Sequence, residues 1–249
     1  VITRLGNLSQ IFTKGIEISG TLESVDKAGR KSEFKYQSEK RGKELMRDIE
    51  ATLVSKQLKT ASAAAAGNIQ ATARLMGGYE SWVGVCQEAA GSLQANATAG
   101  TGASVWNATG TGAAFTLDDI NEVLREINGV TSAAPSVVMM STTNKVRFSD
   151  LMTGTTNVRR NIDEKGKLKQ SVDLYESDFG DVELVHNYLM GNDAVFVYDP
   201  STMSMNTLRP LHFRNIAEDG DSLRSYLVQE LTFEAKSPTG NAVIIDVLA

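Results

Sequence analysis

One cysteine, two histidines, no basic excess and no long apolar run set the first limits on this sequence of 249 residues. Cys86 stands alone, which excludes an intramolecular disulfide and suits a reducing compartment. Apolar runs such as Val137 to Met140 and Ala194 to Val197 are strand-sized, far short of the ~20 residues a membrane-spanning helix needs. The formal net charge of −5 argues against a dedicated nucleic-acid binder, which carries a basic footprint. No signal peptide opens the chain. It begins at Val1, without methionine and already in polar, strand-like sequence, so we expect a fragment of a longer product.

What is present is ordinary globular material. Apolar residues make up 41% and charged residues 22%, which excludes a disordered chain and suffices for one large domain or two modest ones. From Gln10 to Glu23 the pattern has period two, with Ile16, Ile18 and Leu22 on one face and Glu17, Ser19, Thr21 and Glu23 on the other. No antiparallel partner precedes this strand, so its edges must be met by distant chain or by another subunit. A helix is predicted from about Phe34 to Lys56. Leu45, Ile49 and Leu53 form its apolar stripe, with Met46 and Val54 beside them, and Arg41, Lys43, Glu44, Arg47 and Asp48 stand on the charged face. Its length makes it a central strut.

Small residues dominate from Thr60 to Ala114, and the stretch from Ala89 to Ala114 reads as loop. Thr116-Leu117-Asp118-Asp119 is a helix-start signal, Leu117, Ile120, Leu124 and Ile127 form the buried stripe that follows, and Asn128-Gly129 is a plausible stop. Val137 to Met140 reads as a buried strand, followed by a helix capped by Ser141 and ending near Gly154. A hairpin is predicted over Ser171 to Glu176 and Asp181 to His186, then a buried strand at Ala194 to Tyr198. A second hairpin is predicted from Tyr226 to Ala235 and Ala242 to Leu248. The class is α+β.

Templates for catalysis fail one after another. His186 and His212 fall in different elements without cysteine or carboxylate at ligand spacing, and His186 is read as a structural residue on the face of Val182 and Leu184. Cys86 is read as a small buried hydrophobe, no base for it being evident. Gly100-Thr101-Gly102 and Gly110-Thr111-Gly112 lack the rest of any phosphate-binding fingerprint. Neither a metal site nor a cofactor is expected. One charged cluster stands out, Arg159, Arg160, Lys165, Lys167 and Lys169, countered by Asp163 and Glu164. A solvated loop is the plain reading, and an electrostatic contact with an acidic neighbour is the functional one.

A resemblance adds what these patterns leave open. The stretches Gln10-Ile11-Phe12-Thr13-Lys14, Ile18-Ser19-Gly20-Thr21, Gly42-Lys43-Glu44-Leu45-Met46-Arg47-Asp48-Ile49-Glu50, Glu80-Ser81-Trp82, Arg160-Asn161-Ile162-Asp163 and Ser171 to Gly180 resemble, in order, the major head proteins of short-tailed bacteriophages. So do Ala73-Arg74, Asp199-Pro200 and Leu208-Arg209-Pro210. The resemblance implies the Hong Kong 97-type capsid fold, with a long spine helix, a peripheral domain, an axial domain and an extended loop. In those terms residues 1–33 are the descending half of the extended loop, and 34–115 the peripheral domain with its spine helix. Residues 116–209 are the axial domain, and 210–249 the peripheral return strands.

The arm and first half of the loop are expected to lie in a longer product, forming a hairpin that rests on a neighbour. The implied function is self-assembly into hexamers and pentamers of an icosahedral head, in the virion after synthesis in the host cytoplasm. Portal and scaffold or decoration proteins are the implied partners; the shell encloses double-stranded DNA without reading its sequence and involves no membrane. Candidate subunit-contact residues are Ile16, Ile18, Arg41, Arg47, Arg159, Arg160, Lys165 and Lys167. A cellular nanocompartment shell of the same fold is the alternative, and an enzyme with an unrecognised site the third reading.

Overall fold

The computed structural model describes residues 5–62, 73–89, 91, 93–94, 100–106, 112–114, 116–132, 134–154, 173–217 and 220–247. The period-two segment is strand β1 (Gln10–Ser19), which stops short of the expected Glu23: Ser19 caps a short helix α1 (Gly20–Ser24) on which Leu22 is exposed, and the long helix α2 (Glu33–Val54) follows. Then come α3 (Tyr79–Trp82), β2 (Val85–Glu88) and β3 (Leu93–Gln94). Next are α4 (Leu117–Thr131), β4 (Val137–Met140), α5 (Thr142–Gly154), β5 (Leu174–Ser177), β6 (Gly180–His186) and β7 (Ala194–Tyr198). The long strands β8 (Met203–Asn215) and β9 (Ser222–Ala235) precede the closing strand β10 (Ala242–Ile245). Helices and sheets segregate as an α+β fold.

Among the described residues two sheets form, a three-stranded one ordered β1-β9-β8 and a seven-stranded one ordered β3-β2-β10-β7-β4-β6-β5. β1 has an intramolecular partner after all. All ten of its residues pair antiparallel with β9, from Gln10 opposite Leu231 to Ser19 opposite Ser222. Distant chain meets one edge of β1, and among the described residues its other edge is the rim of the sheet. On its inward face Phe12, Ile16 and Ile18 are buried beneath α2, and Lys14 reaches Asp48 of that helix at 2.6 Å.

Two side chains start α2. Ser32 Oγ accepts the Lys35 N–H at 3.2 Å, and Glu23 accepts the N–H groups of Glu33 and Phe34 at 2.9 and 3.3 Å. These satisfy three of the four orphan donors of a helix N-terminus. Leu45 and Ile49 of the predicted stripe are buried, whereas Met46 is 48% exposed and belongs to the outer face. Helix α2 packs chiefly on β1 and β9, which leaves β8 beyond its flank.

The capping box at Thr116 and Asp119 forms as its sequence signal requires. The helix it starts runs past Asn128-Gly129 to Thr131, and Ser132 ends it in the left-handed region at φ 52°. Ser141 Oγ accepts the Asn144 N–H and so begins α5. The described part of Ala89 to Ala114 is turn and coil apart from β3 and one isolated bridge at Ala113, as a loop reading expects, but it is anchored to the core. Trp106 is 4% exposed and donates to Val83 O, and Gly102 (φ 74°) packs on the Trp82 ring, where a Cβ would clash.

The C-terminal hairpin also differs from expectation. β9 pairs with β8, while β10 leaves for the other sheet, parallel to β2 and antiparallel to β7. All four residues of β10 are at most 1% exposed, so this strand needs cover on both faces, which only a central position provides. Asn241 holds the departure, donating to Ser237 O and accepting from the Asp199 N–H. The expected division at 209/210 therefore falls inside β8, and the one at 115/116 separates β2 from the sheet it joins. The seven-stranded sheet is filled on both faces. Cys86, Phe196, Val243 and Ile245 look toward α2 and α3, and Val138, Val195, Val197 and Ile244 pack with Ile120, Leu124 and Phe148 of α4 and α5.

Candidate assembly surfaces

Cys86, His186 and His212 stand in three different strands, β2, β6 and β8. Cys86 is fully buried, and burial pushes its thiol far above the usual range, so it behaves as a core hydrophobe. His186 is exposed at the end of β6 rather than packed with Val182 and Leu184, which corrects its reading as a core histidine. His212 is exposed on β8 with Nδ1 2.8 Å from Pro210 O. Among the described residues no three His, Cys, Asp or Glu side chains gather to hold a metal.

The candidate contact residues divide. Ile16 and Ile18 are 5% and 4% exposed inside the chain's own core, so they cannot be offered to a neighbour. Arg41 sits on the charged face of α2, 2.6 Å from Glu44, and Arg47 is exposed on that helix. Arg159, Arg160, Lys165 and Lys167 lie outside the described residues.

The sequence did not point to the strand that offers most surface. β8 is an edge of its sheet and exposes Leu208 (67%), Leu211 (40%) and Phe213 (49%). Its register slips between Thr207 and Arg209 and again between Arg209 and His212, with Pro210 in the second slip. A bulged edge with a proline resists indiscriminate strand pairing, so its contacts are made by side chains.

The sheet face away from α2 is polar and pinned by one carboxylate. Glu230, 4% exposed, accepts from Ser9 Oγ at 2.7 Å, Arg209 Nε at 2.7 Å and Arg74 Nη2 at 2.5 Å. The Ser9 hydroxyl foremost, then the two guanidinium groups, hold its pKa below the usual value against the opposing effect of burial. Asn7 extends the clip, donating to Gly77 O and Phe233 O and accepting the Gly77 N–H. The chain ahead of β1 is thereby strapped to the sheet. No spacing in the sequence brings residues 9, 74, 209 and 230 together.

Comparison with known proteins gives this architecture a family. The family model for the SU10 major capsid protein matches residues 1–248. The chain belongs to the SU10 major capsid protein family. A major capsid protein of Escherichia phage Phieco32 is 43% identical over 54 residues, which are 22% of this chain and 15% of that protein's length. The cyanophage A-1(L) capsid subunit has the same fold, with a TM-score of 0.65 and 14% identity over 95% of this chain and 77% of that one. The holo-SrpI encapsulin complex of Synechococcus elongatus PCC 7942 gives 0.58 and 9% over 96% and 74%. The fold is thus the Hong Kong 97 type. The encapsulin likeness reports the shared fold alone.

Proposed function

We propose that this chain is the shell subunit of a phage head, assembling with its own copies into hexamers and pentamers that enclose double-stranded DNA. The observation that supports this most is the family match along the whole of residues 1–248. Portal and scaffold or decoration proteins complete the assembly, the DNA is held without sequence-specific contact, and the subunit is made in the host cytoplasm. No helix among the described residues is long and apolar enough to cross a membrane.

Electron microscopy of the purified full-length protein, alone and with its head-assembly partners, tests the reading. Closed shells of pentamers and hexamers are the expected result. A well-folded monomer at high concentration, with no shells under either condition, overturns it.

The basic cluster supplies a second test. If Arg159, Arg160, Lys165 and Lys167 face an acidic surface of a neighbour, changing the first three to Gln slows assembly at low salt and less so at high salt. Charges in solvent are screened over about 8 Å at physiological ionic strength, so added salt masks the loss. Equal rates for wild type and variant at both salt levels return the segment to a solvated loop.

A further inference from the structure

Helix α3 is a wedge between the two sheets, and it carries a carboxyl group that assembly does not explain. Glu80 is 1% exposed. Among the described residues its Oε1 has no hydrogen-bond partner, and Lys56 Nζ stands 3.9 Å away. The Trp106 backbone N–H donates to the carboxyl group. Lys56 lies just beyond the end of α2 and also reaches Asp193, ahead of β7, at 2.9 Å. Cys86 on β2 faces the same space and stays neutral. One ammonium therefore serves two carboxylates, and it is within hydrogen-bond distance of the outer one.

The position is a joint. The Gly78 N–H donates to Gln57 O and ties the wedge to the segment that follows α2. On the other side Tyr79 Oη lies 3.0 Å from both Val197 O and Ala242 O, tying it to the seven-stranded sheet. A charge placed on Glu80 is thus placed where the two halves of the subunit meet.

We propose that Glu80, set against Lys56 and Asp193, is a proton switch on this joint: neutral, it lets the wedge close dry between the sheets, and ionised, it drives the wedge to open toward water and Lys56. A buried carboxylate with one oxygen unbonded is poorly compensated, and opening is the route by which it regains solvation. Burial pushes its pKa up to about 7, Lys56 opposing and Asp193 adding to the rise. The sign follows from linkage. Between the ordinary value of 4.5 and about 7 the closed wedge holds a proton that the opened one has released. Closure is favoured by acid, weakens as pH rises through that window, and levels off above it. The switch lies within one subunit and does not depend on the shell reading.

Hydrogen exchange of residues 79–89 in the full-length protein, corrected for intrinsic rates, reads the opening. From pH 5.5 to 7.5 we expect the opening equilibrium to rise roughly twentyfold. Glu80→Gln is expected to abolish that rise. Lys56→Met removes the opposing cation, so its midpoint moves to higher pH, a shift that a merely structural carboxyl would not show. A flat wild-type profile, a Glu80→Gln profile matching wild type, or an unmoved midpoint in Lys56→Met overturns the proposal.

Discussion

Ile49→Asp is expected to lower stability by about 3–5 kcal/mol, a large share of the roughly 5–15 kcal/mol that holds a typical domain folded. Ile49 is 7% exposed within the core that contains Phe12, Ile16, Leu45 and Leu231. A carboxylate there is set among those apolar side chains, so either the charge is buried at a cost or the helix lifts from β1. Met46, three residues earlier on the same helix, is 48% exposed, and Met46→Asp is expected to cost no more than about 0.5 kcal/mol. Urea denaturation of the two variants beside wild type measures the contrast. Equal midpoints for all three would mean that the stripe does not carry the sheet.

Tyr79→Ala is expected to be comparably damaging, at about 3–5 kcal/mol, because it removes the wedge's anchor to the seven-stranded sheet. The ring is 6% exposed, its centroid 4.3 Å from that of Phe196 and 5.8 Å from that of Tyr198. Burial keeps the hydroxyl protonated far above its usual range, so it remains a donor to the Val197 and Ala242 carbonyls. Tyr79→Phe keeps the ring and is expected to cost about 1 kcal/mol for the lost hydrogen bond. Thermal unfolding followed in the near ultraviolet should move from one transition toward two in Tyr79→Ala, as the sheets lose their coupling. A single transition at the wild-type temperature would show that the anchor contributes nothing.

The parts of this fold that were legible in advance are those whose causes lie within a few residues. Leu45 and Ile49 are four apart and share a helix face whatever surrounds them. Thr116 and Asp119 cap α4 because their reach spans one turn. Val137–Met140 and Ala194–Tyr198 are strands flanked by breaks, and both kept their predicted bounds. The family resemblance was legible because such stretches recur in order along the chain. Where local signals were ambiguous, errors followed: Gly129 sits within a helix that tertiary packing holds together, and His186 took the solvent side at a strand's end.

By itself, then, the sequence determined the elements with periodic faces and local caps, and the family to which their order belongs. Only the tertiary structure decided which strands meet. β8 has no alternation and contains Pro210, and it is a strand because β9 offers it a partner and an edge position tolerates a missing donor. β1 found β9 more than two hundred residues away in the chain, a pairing that no local pattern encodes. The same holds for the charges: Glu230 meets Ser9, Arg74 and Arg209, and Glu80 loses its water, because sheet pairing brings distant segments together. Burial and electrostatic environment are properties of neighbours in space. A one-dimensional pattern can name the groups that carry charge, but the desolvation that shifts them exists only after the chain has closed around them.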